Sequence, residues 1–398
     1  MTLDPSDIDA IRAETPGCDA GSRAHFLHCG ASLMSRSTLA AVKAHLDLEA
    51  EIGGYAAADR VAGEIEAVYA SLARLLGADA TEIAVTENAT AAWNQAFWSV
   101  AWTLSAGDRV LTVASDYASN AIALLQAKRR IGIEVDVVPD DSDGQLDVAA
   151  LESMLDDRVK LVCVTHVPTG SGLVNPAAAV GRLTREHGVL YLLDACQSAG
   201  QLPLDVDELG CDFLTATGRK YLRGPRGTGF LYARAATTSD IEPAVLDLHG
   251  ATWTARDAYE PRKDARRFEN WEFPTANVLG LGVAVEEALA LGLENIEGRV
   301  RSLADDLRIR LDALPQITIQ DPGVVRCGIV SFTHDRLSPE EVRVALDAAG
   351  IEVGTSTVLS TRHWMEGHGL DAVVRAGVHY FNSDDEVHCL VDAAASLA

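Results

Sequence analysis

Apolar residues change their spacing several times along the chain, and each change marks an element. Over residues 37–50, Leu39, Val42, Leu46 and Leu48 recur among polar positions at helical spacing. Residues 59–76 repeat the pattern with Ile65, Val68, Tyr69, Leu72 and Leu75, which predicts a second helix. An alternation then begins. Short apolar runs at 83–86, 109–113, 135–138, 161–165 and 190–193 predict strands, and the segments 90–100, 118–130, 148–155 and 176–186 between them predict helices. Residues 213–215 and 229–232 read as further strands. Repeated β-α-β units with almost wholly apolar strands predict an α/β protein whose mostly parallel sheet is covered on both faces. Ligands in such sheets bind beyond the carboxyl ends of the strands.

The pattern weakens after Ala233. Segments 275–291, 296–313, 339–349 and 386–397 predict helices, and 325–332 and 375–379 predict strands. This reads as a smaller α+β unit. The expected organisation is an N-terminal arm at 1–24, a large domain at 25–275 and a small domain at 276–398. No internal repeat or low-complexity tract interrupts it.

Composition narrows the function. The 398 residues, 48% of them hydrophobic, suffice for two buried cores. There are 33 Lys+Arg against 58 Asp+Glu, a net charge of −25. Such a surface repels phosphate backbones, so no nucleic-acid partner is expected. The longest apolar run, near 159–167, is far too short for a membrane span. The start, MTLDPSDIDAIRAE, is acidic and has no apolar signal-peptide core. A cytoplasmic protein without a membrane partner is expected. The 7 cysteines are scattered and form no C-x-x-C, so neither a disulfide framework nor a metal site is expected. Cys163 lies in an apolar run and is expected to pack.

The chain holds only Lys43, Lys128, Lys160, Lys220 and Lys263. Four of them fit solvated positions on a helix face, at a helix end, at the start of a strand and in a charged loop. Lys220 sits in TATGRKYLRGPRGTGFLY, between an apolar strand and a glycine-rich turn. A lysine held among apolar and cationic groups can serve as an amine nucleophile. A phosphate-binding or surface lysine fits the same local sequence. Upstream, the apolar strand in VLYLLDACQSAG ends in Asp194. A carboxylate there is costly without a cationic partner, although an Asp that caps the next turn is also common. An Asp and a Lys on successive strand ends make the pair that pyridoxal phosphate (PLP) requires. The lysine links to its aldehyde and the aspartate keeps its ring nitrogen protonated.

LLDACQSAG followed by TATGRKYLRGPRGTGFLY resembles the class V aminotransferase family of fold-type I PLP enzymes. That family includes cysteine desulfurases, selenocysteine lyases, isopenicillin N epimerase and cysteine-conjugate C–S lyases. The resemblance runs from about His25 to the C-terminus. It implies a large PLP-binding domain and a smaller C-terminal one, bound PLP, and a homodimer with active sites at the subunit interface. By position it implies that Asn88, Ala89 and Thr90 in VTENATAAW cradle the phosphate, a role compatible with a simple helix cap. Thr217 and Arg219 match further phosphate contacts, and Thr275 is the candidate contributed by the partner subunit. Tyr117 in SDYASN takes the place of a ring-stacking His found in many relatives. Its face can stack, but it cannot exchange protons like imidazole. A Tyr that merely starts a helix is the alternative.

In THVPTGSGLVNP the resemblance puts His166 near the cofactor and Thr169, where Asn is common, on its O3′ side. A packed strand histidine would look the same. Gln197 matches the hydrogen-bond partner of the phenolic oxygen, and Arg375 in VVRAGVHYFNSDDEV the grip on the substrate α-carboxylate. Without that context Arg375 would read as a surface salt bridge. Cysteine desulfurases carry a nucleophilic Cys on the loop before this arginine. Here that loop, IEVGTSTVLSTRHWMEGHG, has none, and Leu359 stands near the place. Arg362, His363 and Trp364, with His28 and Ser32 of HFLHCGASL, are expected to shape a substrate pocket. The expected activity is PLP-dependent chemistry at Cα and Cβ of an L-amino acid, a C–S β-lyase acting on a cysteine S-conjugate. Lys220, Asp194 and His166 are its catalytic candidates. Transamination, epimerisation and decarboxylation-coupled deamination would use the same lysine, and a non-catalytic binding partner of the same fold stands as a reading from another class.

Overall fold

The computed structural model describes residues 3–19 and 23–397. The expected arm contains a helix, α1 (Pro5–Ala13), started by Pro5 and by the Asp4 carboxylate, which accepts from the Ser6 and Asp7 N–H groups. A short strand β1 (Ala24–His25) precedes α2 (Arg36–Ile52). The single helix expected at 59–76 is two, α3 (Gly54–Arg60) and α4 (Ala62–Leu76), parted at Val61. Val68, Tyr69, Leu72 and Leu75 of α4 are buried, as their spacing implied.

The alternating region forms β2 (Ile83–Thr86), α5 (Ala89–Ala101), β3 (Arg109–Val113), α6 (Ala118–Ile131), β4 (Glu134–Val138), α7 (Val148–Met154), β5 (Val159–Thr165), α8 (Ala177–His187), β6 (Leu190–Asp194), α9 (Val206–Leu209), β7 (Phe213–Thr217) and β8 (Gly229–Ala233). Their strands build one seven-stranded sheet in the order β2-β8-β7-β6-β5-β3-β4. From β7 to β4 every pair is parallel, whereas β8 runs antiparallel to both its neighbours. The chain must therefore turn straight back after β7, and Lys220 lies in that turn. Successive residues of β5 feed opposite cores. Val162 and Val164 pack with Leu72 and Leu193 on one face, and Leu161 and Cys163 with Phe97 and Leu192 on the other.

The remainder forms α10 (Ala235–Thr238), a hairpin of β9 (Ala251–Ala255) and β10 (Ala258–Pro261), α11 (Thr275–Leu291), α12 (Leu293–Asp312), β11 (Ile317–Ile319), β12 (Ile329–His334), α13 (Pro339–Ala348), β13 (Ile351–Glu352), β14 (Gly354–Thr357), α14 (Arg362–Gly367), β15 (Ala372–Gly377) and α15 (Asp384–Ala395). An antiparallel sheet β11-β12-β15-β14 covers a second core built from Phe26, Leu307, Phe332, Val374 and Leu390. α11 packs on α2 and α4. β12 begins at Ile329, four residues after the expected start at Val325. The preceding residues bind the large-sheet loop instead, with Cys327 N–H donating to the Gly172 carbonyl at 2.8 Å.

A buried ion pair joins the same places. Arg308 of α12 donates to Asp321 at 2.9 Å and to the Cys327 and Ile329 carbonyls, while Asp321 accepts from Gly172 N–H at 2.8 Å. Among the described residues no single helix is long and apolar enough to cross a membrane.

Candidate active site

The carboxyl ends of β5, β6 and β7 meet the N-termini of α5 and α6 around a cavity of about 160 Å³. A larger groove of about 880 Å³ between α2, α4 and α11 contains no lysine and is mostly apolar. The chemistry lies in the smaller one. Of the eleven residues expected at a cofactor, all but Thr275 line it.

Lys220 is 8% exposed, in the β7–β8 turn. The Arg223 N–H donates to the Lys220 carbonyl at 2.9 Å, and Gly224 N–H to Gly218 at 2.7 Å. Arg223 has φ 61°, a left-handed conformation that costs a non-glycine residue about 1–2 kcal/mol. Its guanidinium offsets the cost. It donates to Leu33 O, Tyr380 Oη and Thr15 Oγ1, and it stands 4.3 Å from the Phe381 ring centroid. This clamp on the lysine turn was invisible in the sequence, because its partners come from both ends of the chain.

Asp194 closes β6. Its carboxylate accepts from Cys196 N–H and from Asn120 Nδ2, each at 2.9 Å. Burial pushes its carboxyl up, against those donors and the Lys220 charge. Among the described residues no cation is in ion-pair contact with it.

At the start of α5, Asn88 caps the helix by accepting from Ala91 N–H at 2.9 Å. The Ala89 and Thr90 N–H groups have no acceptor within the helix, so they suit an anion. β8 can lie against them only because residue 229 is glycine. A Cβ there would come within 2.5 Å of the Asn88 carbonyl carbon. Thr217 donates to Thr228 O at 3.0 Å, and Arg219 reaches the Gly30 carbonyl.

Gln197 Nε2 donates to Cys29 O at 3.0 Å and to Thr169 Oγ1 at 3.3 Å, which leaves its buried Oε1 unpartnered. Arg375, on β15, does not line the cavity but reaches its wall by donating to the Thr169 carbonyl at 2.8 Å. Its Nε is buried and unpartnered. Tyr117 stands at the cavity as the N-cap of α6, and the next N–H donates to Ser360 O at 2.9 Å.

Several expected contacts lie elsewhere. His166 does not line the cavity. Thr165, Val167 and Thr169 do, and His166 instead meets Ser198 Oγ at 3.0 Å. Burial lowers its pKa to about 4. The unfolded histidine therefore takes up a proton first as pH falls. The stability held by the neutral ring is complete above about 6.5 and is lost as pH falls toward 4. Relative to a His166→Asn variant, the wild type is expected to lose about 2 kcal/mol between pH 8 and pH 5. Urea unfolding of both proteins at the two pH values measures it, and a pH-independent difference would refute it.

His28 is also corrected. It is fully buried against the rings of His25, His379 and Phe381, with Ser32 Oγ 2.9 Å from its Nδ1, so neither residue lines the cavity. Thr275 lines a separate cavity with Tyr69, His249 and Trp271. Trp364 packs with Met365 and Val373 rather than into a pocket, and Arg362 pairs with Glu366. Leu359 is 73% exposed. Cys196 and Asn120 were missed. Cys196 lines the cavity within the quoted motif, whereas nothing in the sequence connected Asn120 to Asp194.

Residues 28–390 match the family model described as Aminotransferase class-V. A probable cysteine desulfurase of Methanothermobacter thermautotrophicus is 28% identical over 349 residues, 87% of this chain and 86% of that protein. A cysteine desulfurase of Escherichia coli K12 is 31% identical over 295 residues, 72% of this chain and 70% of that protein. Among solved structures, an apo cysteine desulfurase from Thermococcus onnurineus NA1 superposes with TM-score 0.90 at 24% identity, covering 99% of this chain and 98% of that one. The cystine C–S lyase C-DES, in complex with cysteine persulfide, gives TM-score 0.85 at 24% identity over 95% and 98% of the two chains.

Proposed function

The chain belongs to the class-V aminotransferase family, and from that premise we propose that it is a C–S β-lyase acting on a cysteine S-conjugate. It is a PLP-dependent enzyme with the fold-type I architecture. The residues present fit the cofactor. A buried carboxylate without a contacting cation suits a protonated ring nitrogen, and free helix N–H groups suit a phosphate. When bound, PLP supplies an aldehyde for an amine and a ring that accepts the electron pair left at Cα.

Lys220 would hold the cofactor's aldehyde through its amine, and the same amine would serve as the base for the substrate's Cα proton. Asp194 holds the proton on the ring nitrogen. The α5 N-terminus, with Asn88, Thr217 and Arg219, would anchor the phosphate, and Tyr117 would stack on the ring. Gln197 and Thr169, hydrogen-bonded to each other in the cavity wall, would hold its phenolic oxygen. Arg375 grips the substrate carboxylate and orients the Cα–H bond. Thiolate leaves Cβ and takes up a proton, and hydrolysis of the remaining unsaturated fragment by one water gives pyruvate and ammonia.

The observation that carries this reading is the meeting of Lys220 and Asp194 in one buried cavity whose adjoining 354–371 segment has no cysteine. A nucleophile for persulfide chemistry is thus missing from that segment. The activities of the relatives, desulfuration of cysteine and C–S cleavage of cystine, support a sulfur amino acid. Purified protein is expected to release thiol and pyruvate in equal amounts from a panel of cysteine conjugates. No thiol or pyruvate from any of them rejects the proposal. Arg375→Gln is expected to raise KM about 10- to 100-fold, because hydrogen bonds to charged groups contribute about 1.5–3 kcal/mol. An unchanged KM removes the arginine from the site.

The same proposal includes a homodimer. Trp102, Leu248, Trp253 and Tyr259 form an exposed apolar face around the β9–β10 hairpin, and Tyr55 and Trp271 are exposed beside Thr275. Light scattering is expected to report a dimer, and a fully active monomer rejects that part.

A further inference from the structure

We propose that Asp116 is a positioning residue: a second buried carboxylate that, through Asn120, holds Asp194 and raises the proton affinity of the cofactor's ring nitrogen. The inference rests on the reading that PLP lies in this cavity with its nitrogen at Asp194.

Asp116, Asn120 and Asp194 are all buried. The Asn120 amide nitrogen donates to Asp116 Oδ1 at 3.0 Å and to Asp194 Oδ2 at 2.9 Å. One NH2 group thus spans two carboxylates, so neither the amide nor Asp194 can turn without breaking a buried hydrogen bond. Asp116 is itself over-determined. Its Oδ1 also accepts from Thr165 Oγ1 at 2.7 Å and from Tyr117 N–H at 2.7 Å, and its Oδ2 from Thr112 Oγ1 at 2.6 Å. Four donors surround one carboxylate, and among the described residues no cation contacts it. The Tyr117 bond adds a second consequence. The same carboxylate fixes the backbone that carries the ring-stacking candidate.

The titratable groups around this unit are few. Cys163 of β5 and Asp194 of β6 face Asp116, while Lys220 and Cys196 face Asp194. The Lys220 amine is the group that links to the cofactor. Asp194 lines the cavity where the ring nitrogen would sit and Asp116 lies behind it, in contact with the lining residues Tyr117 and Thr165, so a proton on that nitrogen is the positive charge that answers both. Each added negative charge in a dry site favours the protonated form of a neighbouring base. A purely architectural role, tying β3 to the start of α6, would explain the hydrogen bonds but would leave the nitrogen's proton unchanged.

The test uses full-length protein loaded with PLP labelled with 15N in the ring. Asp116→Asn keeps the shape and removes the charge, and Asn120→Ala removes the bridge. The 15N shift is followed against pH, with near-ultraviolet circular dichroism reporting the fold. In both variants the nitrogen is expected to lose its proton at least one pH unit lower than in the wild type, a tenfold change in proton affinity. Cα-proton exchange slows with it, while KM for the amino acid changes little. If either variant fails to fold, the other decides, because each breaks the same unit. Identical titration in wild type and variants overturns the inference. If borohydride reduction of the wild type leaves no adduct on Lys220, the underlying PLP placement fails instead, so the two failures are distinguishable.

Discussion

Lys220→Ala is expected to lower kcat by at least about 10³-fold, the scale of a lost general base. The amine has two tasks in the proposed reaction, covalent attachment of the cofactor and removal of the Cα proton, and no other lysine lines the cavity. The fold is expected to tolerate the change. Among the described residues the Lys220 ammonium makes no ion pair, and the turn beneath it is held by Arg223 and Gly224 backbone bonds. The measurement pairs a turnover assay with borohydride reduction and peptide mapping. In the wild type the reduced adduct should map to the peptide containing Lys220, and in the variant it should vanish. Unchanged turnover would restore the reading of a non-catalytic binding protein.

The largest expected effect on stability belongs to Arg308→Ala, at about 3–5 kcal/mol, the usual cost of breaking a buried pair from one side. The substitution strands the Asp321 carboxylate, which is fully buried, and leaves the Cys327 and Ile329 carbonyls without the guanidinium. Removing both charges together, as Arg308→Met with Asp321→Leu, should cost far less, because no lone charge remains inside. Denaturant unfolding of the three proteins compares them. A single variant within about 1 kcal/mol of wild type would mean that this pair does not hold the small sheet to the loop at Gly172.

Much of the large sheet was legible in the sequence, because its strands are short and, the edge strand β4 excepted, apolar and buried on both faces. Every one of its seven strands lies where an apolar run was read, with ends shifted by a residue or two. The chain beyond Ala233 was harder. The residues 325–328 look like a strand but bind the Gly172 loop, and β9, β10, β11 and β14 are short strands that the spacing did not reveal, the first two with mostly exposed faces. Val61 parts two helices without a proline or glycine at the break.

For the site, the D-x-x-Q and G-R-K segments were readable because strand ends and the turn after β7 are local features. His28 and Trp364 were misplaced because an aromatic near a motif carries no mark of which side it faces. Tertiary packing turns both away from the cavity.

By itself the sequence determined the strand order's raw material, the family, the cofactor's lysine and aspartate candidates, and the polar cap at the start of α5. These follow from periodicity and short motifs, where the interacting residues are neighbours along the chain. Only the tertiary structure decided that Arg223 clamps the lysine turn, that His166 faces away while Thr165 and Thr169 face in, and that Asn120 joins two carboxylates. Asn120 and Asp194 are 74 positions apart. Their contact exists because parallel strands place their carboxyl ends side by side, and a buried polar group takes whichever donor that packing brings within reach.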